Sequence, residues 1–283
     1  MIDKLKTRVK ELLETKTIGV FIGYEKGDSP ELNGALAKRD HEHPKGRSEL
    51  ARPVMITSPD EADKLIYDDT CCVMLSKYLL KPEVKALGRR GVIASYSSLR
   101  AITALIQEHQ LTRNDVYIIA TSTSDKTTNL YDELIEMPVK GYTSDDLNKK
   151  IAELMKLSPA ERRAFWDKEF NKCIKCYACR QICPMCYCNR CIADKNQPQW
   201  IPTSPNPAGN FMWNLTRAYH LAGRCVDCGE CERACPVGIP LMLLNKMVYN
   251  NIKANFGYEA GFDDKVPPPL ATYSPEDKEN FII

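Results

Sequence analysis

Two short cysteine runs constrain this chain more than any other feature. The first reads Cys173-Ile-Lys-Cys176-Tyr-Ala-Cys179-Arg-Gln-Ile-Cys183-Pro184, and the second reads Cys225-Val-Asp-Cys228-Gly-Glu-Cys231-Glu-Arg-Ala-Cys235-Pro236. Both have the spacing Cys-x2-Cys-x2-Cys-x3-Cys-Pro, and the stretch 173–235 contains eleven of the thirteen cysteines. In a chain that is expected to be cytosolic, cysteines this dense favour metal ligation over disulfides, because disulfides are rare in the cytosol.

This spacing is typical of the run that binds [4Fe–4S] clusters in two-cluster ferredoxins. Three thiolates on a tight loop reach three irons of one cluster, and the helix after the loop carries the fourth thiolate to the other cluster. Cluster one is therefore predicted to use Cys173, Cys176, Cys179 and Cys235, and cluster two to use Cys225, Cys228, Cys231 and Cys183. A four-cysteine zinc site is the alternative, but such sites usually show two separated Cys-x2-Cys pairs.

Three more cysteines follow the first run at Cys186, Cys188 and Cys191. Soft thiolates this close together favour a third [4Fe–4S] cluster, with a fourth ligand from Cys71, Cys72 or a non-cysteine group. The alternatives are that the three line the cluster pocket or bind a structural metal. For Cys71 and Cys72 themselves, packing as small apolar side chains is the favoured interpretation.

Composition excludes several classes of function. A formal net charge of +2 gives no indication of nucleic-acid binding. The start, Met-Ile-Asp-Lys-Leu-Lys, lacks a signal-peptide pattern, and no apolar run has the length of a membrane span. We therefore expect a cytoplasmic protein, in an anaerobic cell because exposed iron–sulfur clusters are degraded by oxygen.

The amino-terminal part alternates predicted strands and helices, which favours an α/β domain with a largely parallel sheet over residues 1–157. Apolar runs predict strands at Ile18–Tyr24, Pro53–Thr57, Gly91–Ser95 and Asp115–Ala120. Helical patterns cover 3–14, a helix begun by Ser58-Pro59-Asp60-Glu61, an apolar helix after Cys72 through Leu80, Leu99–Gln110 and Leu130–Glu136. Residues 25–51 form a polar loop, so His41 and His43 are interpreted as solvated rather than metal-binding.

The remainder is predicted to be an α+β dicluster ferredoxin domain at 158–256, followed by an extended tail at 257–283. A helix at Ser144–Leu157 and a capping pattern at Ser158-Pro159-Ala160-Glu161 lead to the first run. The insert 184–224 contains a proline-rich loop, Gln197–Asn210, and an aromatic helix, Phe211–Leu221. An apolar helix at 241–254 follows, and the tail either wraps this protein or docks on a partner.

The chain resembles the beta subunits of deazaflavin-coenzyme-reducing hydrogenases and related formate dehydrogenases. The resemblance rests on the ferredoxin runs, on Cys186-Tyr187-Cys188, and on three amino-terminal stretches: Ser95-Tyr96-Ser97-Ser98-Leu99-Arg100-Ala101-Ile102, Ile106-Gln107-Glu108-His109-Gln110 and Asp115-Val116-Tyr117-Ile118-Ile119. It implies subunits of a heterodisulfide-reductase-like, hydrogenase or formate dehydrogenase complex as partners. Catalytic members bind flavin, so FAD is the further cofactor that the resemblance implies.

Two departures separate this chain from catalytic members of that family. Ser97-Ser98 stands where they usually have Cys-Asp, and Thr121-Ser122-Thr123 stands where they have a second cysteine. We therefore interpret the chain as a non-catalytic iron–sulfur subunit that relays single electrons between flavin or iron–sulfur partners. The alternative is a flavin-containing reductase of a deazaflavin or nicotinamide carrier. Residues 161–235 contain eleven Lys and Arg against seven Asp and Glu, and cations near a cluster stabilise its reduced form.

Overall fold

The computed structural model describes residues 1–27, 51–123, 130–137 and 145–271. Contacts between residues divide the chain into two units, Met1–Gly141 and Tyr142–Ile283. His41, His43 and most of the predicted loop 25–51 lie outside the described residues, as do Ser144 and the end of the tail from residue 272. Over the described ranges, the helices are all too short or too polar to cross a lipid bilayer.

A five-stranded sheet organises the first unit, in the order β2-β1-β3-β4-β5. The strands are β1 Val20–Glu25, β2 Arg52–Ile56, β3 Arg90–Ala94, β4 Val116–Ala120 and β5 Glu133–Leu134. Only the β1–β2 pair is antiparallel; β3 pairs in parallel with β1 and β4, and β4 with β5. The predicted α/β layer with a largely parallel sheet is confirmed, and β3 and β4 are buried at every position, as strands covered on both faces must be.

Helices of the first unit are α1 Ile2–Glu14, α2 Pro82–Lys85 and α3 Tyr96–Gln107, with 3₁₀ turns at Pro59–Lys64, Ser76–Leu80 and Arg113–Asp115. The buried residues of α1 recur at helical spacing, as the sequence predicted: Leu5, Val9, Leu12 and Leu13. The helix α3 begins after Ser95, whose hydroxyl accepts a hydrogen bond from the Ser98 amide.

The prediction of a helix at Leu130–Glu136 is wrong, because this segment contains the short strand β5. The Asp132 amide donates to the Ile118 carbonyl and the Ile135 amide to the Ala120 carbonyl, both at 2.9 Å. The carbonyl groups along the edge of β4 accept these hydrogen bonds. Pairing with β4 therefore overrides the local helical preference of the segment.

The two helices predicted after Ser58 and after Cys72 are 3₁₀ turns instead of α-helices. Ser58 makes no side-chain cap, and the Glu61 carboxylate instead accepts the Thr57 amide at 3.1 Å and its hydroxyl at 3.4 Å. Each turn is only five or six residues long, and short helical segments of this kind are commonly 3₁₀.

The second unit is built from six helices in its described part: α4 Asp145–Lys156, α5 Pro159–Phe170, α6 Ala178–Ile182, α7 Pro207–His220, α8 Glu230–Arg233 and α9 Leu241–Phe256. The predicted capping box is present, with Ser158 accepting the Glu161 amide and the Glu161 carboxylate accepting the Ser158 amide. Because α4 contacts α9, it lies in the second unit, whereas the sequence placed it at the end of a first domain ending at residue 157.

Aromatic side chains pack with aliphatic ones in the core of the second unit. Trp213 of α7 and Phe170 of α5 are almost completely buried, and Phe170 contacts both Trp166 and Phe211. Between residues 145 and 271 the structure assigns helices and no β-strand, so the α+β class predicted for this part is corrected to an all-helical one. At the two cysteine runs, the backbone forms turns that contain residues in the left-handed conformation, and not paired β-strands.

Candidate metal centre

The two cysteine runs fold into loops with the same backbone conformation. In the first loop, Lys175 and Tyr177 have positive φ values of 56° and 58°; in the second, the equivalent residues Asp227 and Gly229 have 56° and 78°. A left-handed conformation costs a residue with a side chain about 1 kcal/mol or more. Three of these four residues are not glycine, so other interactions must compensate for the conformational energy of the left-handed residues in the loops. Each loop then leads into a short helix, α6 or α8.

One cavity lies within the first loop, and four cysteines line it: Cys173, Cys176, Cys179 and Cys235. Its empty volume, including space open to solvent, is about 320 Å³. The remaining lining residues are apolar, aromatic or amide-bearing, among them Tyr177, Trp213 and Asn214. The Tyr177 ring meets Trp213 edge-on with centroids 4.7 Å apart, so it packs against the aromatic core beside the loop.

A second cavity, of about 300 Å³, lies within the second loop. Its four cysteines are Cys183, Cys225, Cys228 and Cys231. Unlike the first cavity, it is lined by two charged side chains, Arg217 and Glu230. As in the first cavity, one amide side chain, here Asn245, also lines it. The Glu230 carboxylate is paired with Arg233, at 2.7 Å and 3.1 Å.

The cysteines are grouped across the two runs. Cys183 of the first run lies with three cysteines of the second run, and Cys235 of the second lies with three of the first. The helices α6 and α8 carry out this exchange by packing against each other. The grouping is the one that the sequence predicted for two clusters; which atoms ligate iron stays a prediction.

Backbone and amide N–H groups point at two of the cysteine sulfurs. The Asn245 side-chain amide donates to Cys231 Sγ at 3.3 Å, and the Ile239 backbone amide donates to Cys235 Sγ at 3.4 Å. Such donors favour a thiolate over a thiol. Without metal, burial raises the pKa of the Cys179 thiol and raises the pKa of the Cys231 thiol to about 12. Coordination reverses this effect, because a metal-bound thiol is deprotonated.

The loops are attached to the rest of the unit in different ways. Lys175 is buried and its ammonium donates to the Pro202 carbonyl at 3.2 Å and the Gly209 carbonyl at 2.8 Å. Burial lowers the pKa of Lys175. The equivalent residue of the second loop, Asp227, forms an ion pair with Lys246 of α9, and both side chains are 9% exposed.

Sequence reasoning missed Arg217, which the structure places beside both loops. The residue is 5% exposed, lines the second cavity, and donates from a terminal nitrogen to the Cys179 carbonyl at 3.0 Å. Its Nε is buried without a hydrogen-bond partner. The signal that could have found it is its position four residues after Trp213, on the buried face of an aromatic helix.

The additional cysteines lie outside both cavities. Cys188 is exposed, Cys186 and Cys191 are partly exposed, and Cys191 packs against the hydrophobic core of the second unit. The Cys188 carbonyl accepts Arg180 at 2.9 Å. In the first unit, the Cys71 sulfur accepts the Asp68 amide at 3.4 Å, and burial raises the pKa of its thiol to about 12. The third cluster therefore stays a prediction.

In the described ranges, no three His, Cys, Asp or Glu side chains converge as they would around one metal ion. A cubane cluster is held differently from a single ion, because each of its four irons takes its own thiolate. Four cysteines around each cavity, together with N–H donors aimed at sulfur and a buried guanidinium nitrogen lacking a partner, fit an anionic iron–sulfur cluster.

In the first unit, hydroxyl groups occupy the stretches where catalytic relatives were expected to carry thiols. The Ser122 hydroxyl accepts the Tyr96 amide at 3.1 Å, and the Thr121 hydroxyl lies 2.7 Å from the Tyr67 hydroxyl. Ser98 is 2% exposed and its hydroxyl contacts Met74 Sδ at 3.4 Å. These hydroxyl groups connect the end of β4 and the start of α3 to each other and to side chains of the segment 67–74.

Comparison with known proteins agrees with this geometry. Residues 172–240 match the family described as 4Fe-4S dicluster domain. The F420-dependent formate dehydrogenase subunit beta of Methanocaldococcus jannaschii is 39% identical over 106 residues, which cover 36% of this chain and 27% of that protein. The F420-dependent formate dehydrogenase 1 subunit beta of Methanococcus maripaludis is 36% identical over 110 residues, covering 39% of this chain and 28% of that protein.

The described part of the second unit therefore contains a 4Fe-4S dicluster domain, at residues 172–240. In particular, the chain is a relative of the beta subunits of F420-dependent formate dehydrogenases, which confirms the resemblance predicted from the sequence. It matches little more than a quarter of the length of either relative.

Proposed function

We propose that this chain is an electron-transfer subunit with two [4Fe–4S] clusters, one in each cavity, working within a larger oxidoreductase complex. A bound [4Fe–4S] cluster supplies reversible one-electron transfer. The ligands are Cys173, Cys176, Cys179 and Cys235 for the first cluster, and Cys225, Cys228, Cys231 and Cys183 for the second. The grouping of each fourth cysteine with the other run carries this proposal, because the two-cluster ferredoxin pattern requires that exchange.

The chain's own residues would set the properties of the clusters. Buried apolar and aromatic groups such as Trp213 and Ile239 line part of the first cavity and lower its polarity. N–H groups of Ile239 and Asn245 donate to ligand sulfurs and stabilise the added negative charge of a reduced cluster. The polarity of the lining and the N–H donors to sulfur differ between the two cavities, so the two clusters are expected to have different reduction potentials.

The similarity to formate dehydrogenase beta subunits supports partners of the redox class. We propose other subunits carrying flavin or iron–sulfur centres as the electron donor and acceptor, in a formate dehydrogenase, hydrogenase or heterodisulfide-reductase-like assembly. An anaerobic cytoplasm is the proposed location, since a solvent-exposed ligand such as Cys176 leaves its cluster open to oxidants.

Iron, acid-labile sulfide and flavin measured on anaerobically purified protein test this proposal. Two clusters correspond to about eight iron atoms per chain, and a third cluster held by Cys186, Cys188 and Cys191 would raise this to about twelve. We expect a brown protein without bound flavin. A colourless protein containing zinc would contradict the proposal, and FAD with turnover of a deazaflavin would replace it with the flavin reductase.

A further inference from the structure

The guanidinium of Arg217 connects the two loops. One terminal nitrogen donates to the carbonyl of Cys179, a predicted ligand of the first cluster. The side chain also lines the second cavity beside Cys183, Cys228 and Cys231. A single residue of α7, which lies between the two runs in sequence, therefore contacts the first loop and lines the second cavity.

The Nε of Arg217 lacks a partner although the residue is 95% buried, since 5% of its surface is exposed. An arginine cannot lose its charge inside a protein, so burying it with an unused donor costs several kcal/mol by general estimates. An anion in the second cavity would compensate for both the charge and the donor.

Arg217 is the charged side chain at the second cavity best placed to interact with an anion there, because the other charged and polar groups have partners. Glu230 is paired through both carboxylate oxygens with Arg233. Asn245 is neutral and donates to Cys231 Sγ. Lys246 is engaged with Asp227 and is not among the residues that line the cavity. The first cavity is lined by neutral side chains.

We propose that Arg217 donates its Nε–H to a sulfur at the second cluster and raises the reduction potential of that cluster relative to the first. Reduction adds one electron, and hence one negative charge, to a cluster that is already anionic; a fixed cation in contact with it stabilises the reduced form. Arg217 is thus a positioning and tuning residue. The inference rests on the proposed function, because it requires clusters in both cavities.

The test is an anaerobic redox titration followed by electron paramagnetic resonance on the full chain. The variants are Arg217→Met, which removes the charge, and Arg217→Lys, which keeps the charge but loses the Nε donor. Arg224→Met is the matched control: Arg224 immediately precedes Cys225 and donates to the carbonyl of Met185, which lines the second cavity, at 3.3 Å, but Arg224 is not among the residues lining either cavity. Cys228→Ser identifies the signal of the second cluster.

We expect the midpoint potential of the second cluster to fall in Arg217→Met, and to fall less in Arg217→Lys. The first cluster should move less than the second, and Arg224→Met should leave both near their original values. An unchanged second cluster in Arg217→Met, or an equal shift in Arg224→Met, would overturn the inference. So would loss of the second cluster in both Arg217 variants, since that result assigns Arg217 a structural role only. Absence of clusters from the unmodified protein is a different result, because it removes the proposed function itself.

Discussion

The two cavities share their donor set and loop backbone but differ in what surrounds them. Each is lined by three cysteines of one loop and one of the other, and left-handed residues occur at equivalent positions. Around the first, the other lining groups are neutral, with Trp213 and Tyr177 prominent. The second is lined by Arg217 and Glu230. The difference teaches that the repeated motif sets the shape of a site, whereas segments outside the motif set its electrostatics.

The largest expected effect comes from removing cysteines in pairs. Cys176→Ala combined with Cys235→Ala removes two residues that line the first cavity, so we expect the second cluster to remain and about four iron atoms per chain to be retained. Cys176→Ala combined with Cys183→Ala removes one residue from each cavity, so we expect both signals to weaken or disappear. Iron analysis and electron paramagnetic resonance measure both results.

The two double variants control for each other, since each removes two cysteines and shares Cys176→Ala. If each run instead bound its own cluster, their outcomes would be exchanged. That exchange would eliminate the crossed arrangement while leaving two clusters in the chain.

A smaller effect is expected from the lysines that attach the loops. Lys246→Met removes the ammonium of the buried ion pair with Asp227, and breaking such a pair generally costs about 3 kcal/mol or more. Lys175→Met leaves two carbonyls without their ammonium donor, a loss of about 1–3 kcal/mol. We therefore expect a lower Tm in both, and preferential loss of iron from the second cavity in Lys246→Met and from the first in Lys175→Met. If both variants lost iron from the same cavity, that result would contradict the inference that the two lysines attach the two loops independently.

The smallest expected effect concerns the left-handed residue after the second cysteine of each loop. Gly229→Ala adds a side chain at a φ of 78° and should destabilise the second loop by about 1 kcal/mol. Tyr177→Gly removes the same cost from the first loop but also removes the contact with Trp213, which is worth about 1 kcal/mol, so little net change is expected. Thermal unfolding of the two variants measures this difference; a more stable Gly229→Ala protein would show that the loop does not need glycine.

The sequence predicted those parts of the molecule that depend on local pattern. Helical spacing of Leu5, Val9 and Leu12 predicted α1, and the capping box of Ser158 and Glu161 predicted the start of α5. Cysteine spacing predicted which four residues meet in each cavity, because two residues between thiolates on a tight loop leave few alternatives.

Features that depend on distant parts of the chain were not predictable in this way. The strand β5 exists because β4 offers it an edge, which nothing within 130–136 indicates. In the sequence, Arg217 has no feature that separates it from other helix residues. Its two contacts, with the Cys179 carbonyl of the first run and with the second cavity, form only when α7 packs against both runs. Lys246 and Asp227 are likewise separated by a loop and a helix before they pair.

One consequence follows from the grouping of Cys183 with Cys225. Both line the second cavity, and they are the residues that immediately flank the insert 184–224. A cluster bound there would hold the two ends of the insert together, much as a disulfide staples the base of a loop. Closing a longer loop costs only about 0.6 kcal/mol for each doubling of its length. The stapled base thus leaves the insert free to grow or shrink during evolution, provided that α7 still returns Arg217 to the cavity.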